Sequence, residues 1–172
     1  PHLKDFRERI RLNGEMVPEQ FVVDFVERFL EMNKTSALEP SFFELTVLMA
    51  FDYFYAQKVD VAVIEVGLGG RLDSTNIITP ELSVITNISL DHTALLGDSL
   101  GKLALEKAGI IKRSIPVIIG ETHPQTSIIF DGKAAENHSK ILFADQLLKA
   151  DYSMISIDQH QIFNIKSSCI NL

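Results

Sequence analysis

The chain has 172 residues, of which 46% are hydrophobic and 23% are charged, and its formal net charge is −7. This composition fits one globular domain with a buried core and excludes disordered and fibrous classes. No block of Lys and Arg offers a surface for nucleic acid or an anionic membrane, so we expect small-molecule partners. No apolar run reaches the roughly 20 residues that cross a bilayer, and no secretion signal opens the chain, so we expect a cytoplasmic protein.

The sequence begins at Pro1, without an initiator Met, inside the dense and charged segment PHLKDFRERI. We therefore expect a fragment of a longer protein. No repeat, low-complexity tract or Pro/Gly/Ser linker divides the chain, which predicts one partial domain over residues 1–172. The single cysteine, Cys169, supports neither a disulfide framework nor a thiolate metal cluster, and we interpret it as a bystander.

Two helices are predicted before the first strand. Apolar residues recur at helical spacing after Pro18, which suits a first helical turn. They are Phe21, Val22, Phe25, Val26, Phe29 and Leu30. A second helix is predicted from Ser41 to Gln57, where Ser41 can cap the helix and Glu44, three residues on, completes a capping box.

Short, β-branched apolar runs follow the helices, and we interpret them as strands. They are VDVAVIEV (59–66), LSVITNI (82–88), PVIIG (116–120) and KILFA (140–144). Continuous apolar strands at this spacing are typical of a parallel sheet covered on both faces. The predicted fold class is therefore α/β, with a mostly parallel sheet flanked by helices. Residues 151–172 alternate in a way that favours an antiparallel extension.

Residues of ligand type follow two of these predicted strands. Glu65 is the next-to-last residue of the first run, close before GLGGRLDSTN, and Asp91 and His92 follow the second. Ligands collect beyond the carboxyl ends of strands in open α/β sheets, so both places are candidate sites. The alternatives are a solvated Glu65 in a turn and a structural histidine. The loop matches neither G-x-G-x-x-G nor the Walker pattern, so we do not interpret it as a phosphate cradle in its own right.

A lysine lies within the apolar stripe of the helix predicted in DSLGKLALEKAGIIK. Successive residues turn by about 100°, which groups Leu100, Leu103, Ala104, Lys107 and Ile111. A buried lysine must find a partner or lose its charge. One interpretation is snorkelling or an ion pair with Asp91 or Glu65. The other is chemical, because a neutral amine can add carbon dioxide and become a carbamate, an oxygen ligand for Mg²⁺.

Taken together, IEVGLGGRLDSTN, ITNISLDHTALLGDSL and EKAGIIK resemble the central domain of the folylpolyglutamate synthase and dihydrofolate synthase family, within the Mur-ligase superfamily. The resemblance is strongest over residues 59–120. It implies an α/β domain of the P-loop nucleotide-binding type, truncated here at both ends. It also implies an ATP- and Mg²⁺-dependent ligase that adds glutamate to dihydropteroate or folate through an acyl phosphate.

The resemblance implies a metal site made by three residues. Glu65 and His92 match Mg²⁺ ligands of the family, and Lys107 matches the lysine that the family carries as a carbamate. Asp91 we interpret as positioning the His92 loop.

The resemblance implies substrate contacts as well. Phe43, Asp73 and Ser74 match positions that line the pterin pocket, although Phe43 also fits a plain core residue. Arg9 matches an arginine near the reacting carboxylate and phosphate, and His2 is a further candidate. Arg71 stays open between loop structure and a substrate contact.

Parts of the family pattern do not occur in this sequence. The glycine-rich phosphate loop, the metal-binding Ser before the PHL segment and the C-terminal domain are absent, so we predict that the 172-residue chain alone has no ligase activity. An unpaired sheet edge would allow an edge-mediated dimer. Two alternatives remain: a Mur ligase of cell-wall synthesis acting on a UDP-muramyl substrate, although VGLGGRLDSTN favours the folate branch, and a non-catalytic domain that keeps only the fold.

Overall fold

The structure, a computed structural model, describes residues 2–89, 99–155 and 161–167. These fall into two compact units, Pro1–Gly67 and Leu68–Leu172, so the boundary lies inside the glycine-rich loop. No helix among the described residues is long and apolar enough to cross a membrane.

The first unit opens with a 3₁₀ helix, Phe6–Arg9, and a small antiparallel hairpin of β1 (Arg11–Leu12) and β2 (Glu15–Met16). The turn between these strands contains Asn13 and Gly14, which have φ values of 52° and 90°. An Asn-Gly pair with positive φ at both residues suits a tight hairpin, because its twist matches that of the strands. The hairpin brings the chain back to the first long helix.

Two long helices complete the first unit, α1 (Glu19–Ser36) and α2 (Phe42–Gln57). The predicted capping box of α2 is confirmed: the Glu44 N–H donates to Ser41 Oγ at 3.2 Å, and the Ser41 N–H donates to Glu44 Oε2 at 2.7 Å. α1 also begins as predicted, directly after Pro18. The helices and the hairpin enclose a core of Ile10, Val17, Phe25, Met49 and Tyr53.

The prediction of a strand over residues 59–66 is wrong for this structure. The segment forms no regular element, and the side chains of Val61 and Val63 are 81% and 93% exposed. The physical reason is that a strand is defined by hydrogen bonds to a neighbouring strand, and no described strand pairs with this segment. Glu65 therefore lies in an exposed, irregular stretch of backbone.

The second unit is built on the predicted parallel sheet. Strands β3 (Ser83–Ile85), β4 (Val117–Ile119) and β5 (Ile141–Phe143) pair in the order β3-β4-β5, all parallel. Helix α3 (Leu100–Ala108) lies between β3 and β4 in the chain, and α4 (Pro124–Glu136) lies between β4 and β5. The two helices pack against each other. The core of this unit contains Ile85, Ala104, Ala108, Ile111, Val117, Ile119, Phe130 and Ala134.

The described chain ends in an antiparallel hairpin. A short helix, α5 (Ala144–Leu147), leads into β6 (Leu148–Ile155), which pairs with β7 (Gln161–Ser167). The register shifts between Ala150 and Tyr152, as at a β-bulge.

Candidate functional site

The glycine-rich loop approaches its neighbours too closely for side chains. In the first unit, a Cβ on Gly67 would lie 2.3 Å from the Phe43 ring. In the second unit, Gly69 has a φ of +70°, which glycine adopts at little steric cost. A Cβ on Gly70 would lie 2.7 Å from the carbonyl oxygen of Glu106. Glycine at these positions therefore lets the loop backbone pack closely against the Phe43 ring and, in the second unit, against the Glu106 carbonyl.

Asp73, a predicted pterin-pocket residue, closes this loop on itself. Its Oδ2 accepts the Leu68 N–H at 2.8 Å, and its Oδ1 accepts the Thr75 N–H at 2.9 Å and the Thr75 hydroxyl. Asp73 thereby caps the 3₁₀ helix Ser74–Ile77, and Ser74 is half-buried at the start of that helix. Both carboxylate oxygens of Asp73 thus hold the loop in one conformation.

His2, Arg9 and Phe42 form an exposed group on the first unit. Arg9 Nε donates to His2 Nδ1 at 2.8 Å, and the guanidinium lies 5.5 Å from the centroid of the Phe42 ring, within cation–π range. The Phe6 ring meets Phe42 edge to face at 5.6 Å. Phe42 is 61% exposed and was not singled out from the sequence, whereas Phe43, the predicted pterin-pocket residue, is half-buried.

Two of the three predicted metal ligands lie among the described residues. Glu65 is exposed in the first unit, and Lys107 is half-buried in the last turn of α3 in the second. His92 lies outside the described residues, as do Asp91 and Cys169. Among the residues that are described, no group of three or more His, Cys, Asp or Glu side chains could hold a metal ion. The meeting of Glu65, His92 and Lys107 at one ion therefore stays a prediction.

Lys107 lies at the edge of the buried face of α3. The side chains that α3 and the residues after it bury are Leu103, Ala104, Ala108 and Ile111. Its ammonium makes no hydrogen bond or ion pair with another described residue. The helix is capped by Ser99, whose side chain accepts the Lys102 N–H at 3.4 Å.

The glycine-rich loop also binds the end of α3, which sequence reasoning missed. Arg71 pairs with Glu106 at 3.0 Å, and Asn76 Nδ2 donates to the carbonyl oxygen of Gly109 at 3.1 Å. The one sequence signal for this contact was that Glu106 directly precedes Lys107, a predicted site residue. Arg71 and Glu106 are 35 positions apart in the sequence, so no local pattern reveals the pair.

A small pocket of about 30 Å³ lies beyond the carboxyl ends of β3 and β4. Its polar lining residues are Asn87, Glu121, His123 and Thr126. His123 Nδ1 accepts the Gln125 N–H at 3.2 Å and so caps α4. Applying the strand-end rule to PVIIG as well would have found Glu121 and His123.

Comparison with known proteins identifies the relatives of the chain. No family model matches the sequence. The chain is 45% identical over 130 residues to the dihydrofolate synthase/folylpolyglutamate synthase of Haemophilus influenzae, a match that covers 74% of this chain and 29% of the relative. It is 40% identical over 151 residues to the folylpolyglutamate synthase of Lacticaseibacillus casei, which covers 85% of this chain and 35% of the relative.

Solved structures give the same result. The apo form of L. casei FPGS matches with a TM-score of 0.87 and 35% identity, over 97% of this chain and 42% of that one. An FPGS–AMPPCP–folate complex matches with a TM-score of 0.89 and 36% identity, at the same coverage.

These matches define the chain as an α/β domain of the Mur-ligase-like type. It belongs to the folylpolyglutamate synthase and dihydrofolate synthase family, and the recognition made from the three sequence motifs is confirmed. The chain spans about a third of the length of the curated relatives named here.

Proposed function

We propose that the chain is part of an ATP-dependent ligase that adds glutamate to dihydropteroate or folate through an acyl phosphate. The observation that carries this proposal is the match of 97% of the chain to an FPGS complex with AMPPCP and folate. That complex supports a nucleotide and a folate-type acid as substrates here. The relatives favour the folate branch over a cell-wall ligase and over a non-catalytic domain.

The Mg²⁺ ligands in this proposal are the Glu65 carboxylate, the His92 imidazole and a carbamate on Lys107. The two described side chains are suited to the role, because neither Glu65 nor Lys107 hydrogen-bonds through its side chain to another described residue. Oxygen donors also fit a hard cation. When bound, Mg²⁺ would neutralise charge on the transferring phosphoryl group.

The remaining proposed roles belong to the substrate. The Phe43 ring would stack on the flat pterin, and Asp73 would accept its N–H groups while Ser74 lies beside it. The Arg9 guanidinium would bind the reacting carboxylate or phosphate through two parallel hydrogen bonds. Its contacts with His2 and Phe42 support this role, because they place the guanidinium at the surface, where a ligand can reach it.

The test uses the full-length ligase that contains this chain, supplied with ATP, radiolabelled glutamate and either folate or dihydropteroate. We expect ATP-dependent incorporation of glutamate. Glu65→Gln should lower kcat at least about 100-fold, since even residues that only support a metal ligand cost 10–100-fold. Glu81→Gln, also exposed, is the matched control and should keep full activity.

Two results would contradict the proposal. One is preference for a UDP-muramyl peptide over folate and dihydropteroate. The other is a Glu65→Gln variant as active as Glu81→Gln.

The wider setting is part of the same proposal. Residues 1–172 would form a partial domain, with residues 151–172 as its antiparallel extension, in a cytoplasmic enzyme that needs neither nucleic acid nor membrane. One edge of β3 has no partner among the described strands, and Leu82 and Val84 are 43% and 49% exposed. Both features support an edge-mediated dimer of the chain. Light scattering that shows a monomer at every concentration would contradict the dimer.

A further inference from the structure

The end of α3 is held by the glycine-rich loop on both sides of Lys107. The last carbonyl groups of a helix have no partner inside the helix. Here the Arg71 N–H donates to the Glu106 carbonyl at 2.8 Å, and Asn76 Nδ2 donates to the Gly109 carbonyl at 3.1 Å. The loop thus adds a second donor to the Glu106 carbonyl, which also accepts the Gly109 N–H at 3.2 Å, and supplies a donor to the Gly109 carbonyl two residues after the lysine.

A side-chain pair adds to these backbone contacts. Arg71 Nε and Nη2 donate to the same carboxylate oxygen of Glu106, at 3.2 and 3.0 Å. The Glu106 side chain is 24% exposed and the Arg71 side chain is 56% exposed, so water reaches the arginine more easily than the carboxylate. Adjacent residues of a helix point about 100° apart, so the pair anchors the turn without using the Lys107 ammonium.

The fit between loop and helix leaves no space for extra atoms. A Cβ on Gly70 would lie 3.1 Å from Lys107 Cα, and a Cβ on Gly109 would lie 2.4 Å from Arg71 Cα. Hydrogen bonds within the loop support its conformation: Asp73 accepts the Leu68 and Thr75 N–H groups, and Asn76 Nδ2 also donates to the Arg71 carbonyl at 3.1 Å. The backbone of Lys107 therefore packs closely against the backbone of the glycine-rich loop.

We propose that Arg71, Glu106 and Asn76 are positioning residues that fix the backbone of Lys107 and thereby the direction of its side chain. The inference rests on the proposed function, in which Lys107 carries a carbamate. Misplacement by about 1 Å can cost about 100-fold in rate, and a lysine side chain rotates freely unless its base is fixed. Arg71 thus belongs to the loop–helix contact and not to the substrate.

The kinetic test compares Arg71→Ala with Arg113→Ala in the full-length ligase. Arg113 is an exposed arginine that follows the same helix. We expect Arg71→Ala to lower kcat by about 10–100-fold while the KM values for ATP and folate change less than about 3-fold. Arg71→Lys should recover part of the rate, because it retains a charged donor to Glu106, and Arg113→Ala should behave as wild type.

A second measurement does not depend on activity. The N–H groups of Gly109, Ile110 and Ile111 donate to the carbonyl groups of Glu106, Lys107 and Ala108. In the 172-residue chain, Arg71→Ala should speed hydrogen exchange at these amides about 10-fold or more, because opening the last turn no longer breaks the Arg71–Glu106 pair. Arg113→Ala should leave their exchange unchanged. If Arg71→Ala does not fold, Glu106→Ala provides the same comparison, because it removes the oxygen that accepts both Arg71 hydrogen bonds.

The outcomes separate this inference from the proposed function. A wild-type protein without glutamate ligation refutes the function. Suppose that the wild type is active and Lys107→Ala is inactive. If Arg71→Ala then has a normal kcat and normal hydrogen exchange, only the positioning role is refuted. A raised KM for folate with unchanged kcat would also overturn it, because Arg71 would then act on the substrate.

Discussion

Hydrogen bonds to two acidic side chains stabilise the segment that contains Arg9. The Glu8 carboxylate accepts the N–H groups of Leu3, Lys4 and Asp5 at 2.9 to 3.0 Å. The Asp5 carboxylate accepts the Arg7 N–H and binds its guanidinium at 2.7 Å. These hydrogen bonds favour the ionised forms, so the pKa of Glu8 is lowered, and the Arg7 side chain is the main cause that lowers the pKa of Asp5 from 3.8 to about 2.

The stability of the chain should therefore depend on pH through Asp5. Because folding lowers this pKa, the folded state binds the proton more weakly than the unfolded state does. The stabilisation is present above pH 3.8 and is lost as the pH falls through about 2. Denaturant unfolding between pH 5 and 2 should show this loss in the wild type and less of it in Asp5→Asn. Asp24→Asn, at an exposed position in α1, is the control, and equal pH profiles for the two variants would contradict the prediction.

Residue types alone did not decide which aromatic ring meets Arg9. Phe42 and Phe43 are adjacent, and both lie in the first turn of α2. The helix sends their side chains about 100° apart, which puts Phe42 beside Arg9 and Phe43 against Gly67. The resemblance named Phe43 for the pterin pocket and gave Arg9 no aromatic partner, and only the folded geometry shows that Phe42 makes the cation–π contact.

Elements with local signals were predicted from the sequence. The capping box at Ser41 and Glu44 lies within four residues, and β3, β4 and β5 follow from short β-branched runs. The segment 59–66 has the same composition but forms no strand, because pairing depends on a neighbour that its own residues do not specify. The Asn13–Gly14 turn carried a clear hairpin signal that was missed.

Two glycines of the second unit should respond oppositely to alanine. A Cβ on Gly120 would lie 2.1 Å from the Thr86 carbonyl oxygen, whereas one on Gly132 would meet nothing within 4 Å. Gly132 lies inside α4, so Gly132→Ala should raise the free energy of unfolding by about 1 kcal/mol. Gly120→Ala should lower it by about 1–3 kcal/mol, because backbone must move. Chemical unfolding measures both, and a shift in the same direction would show that the close approach at Gly120 is not rigid.

For the whole molecule, the fold class and the family could be recognised from sequence, while the arrangement of the site could not. Glu65, His92 and Lys107 were selected by their likeness to a family pattern. The contacts that fix Lys107 join residues from separate segments, as Arg71 and Glu106 do. Such pairs arise only when the chain folds, and no spacing rule reveals them.

The 172-residue chain alone should not catalyse glutamate addition. It contains no G-x-x-x-x-G-K-S/T loop, and the lysine and amides of such a loop are the main hold on the β and γ phosphates. Incubation of the purified chain with ATP, Mg²⁺, folate and labelled glutamate should give no product. The full-length ligase is the positive control, and ATP-dependent product from the chain alone would contradict the prediction.

The two sets of buried residues have one more implication. Every member of the first set lies before residue 67, and every member of the second lies after it. Each interior is therefore filled by one continuous stretch of the chain. A large-to-small substitution in one set should leave its cavity among residues of that same stretch.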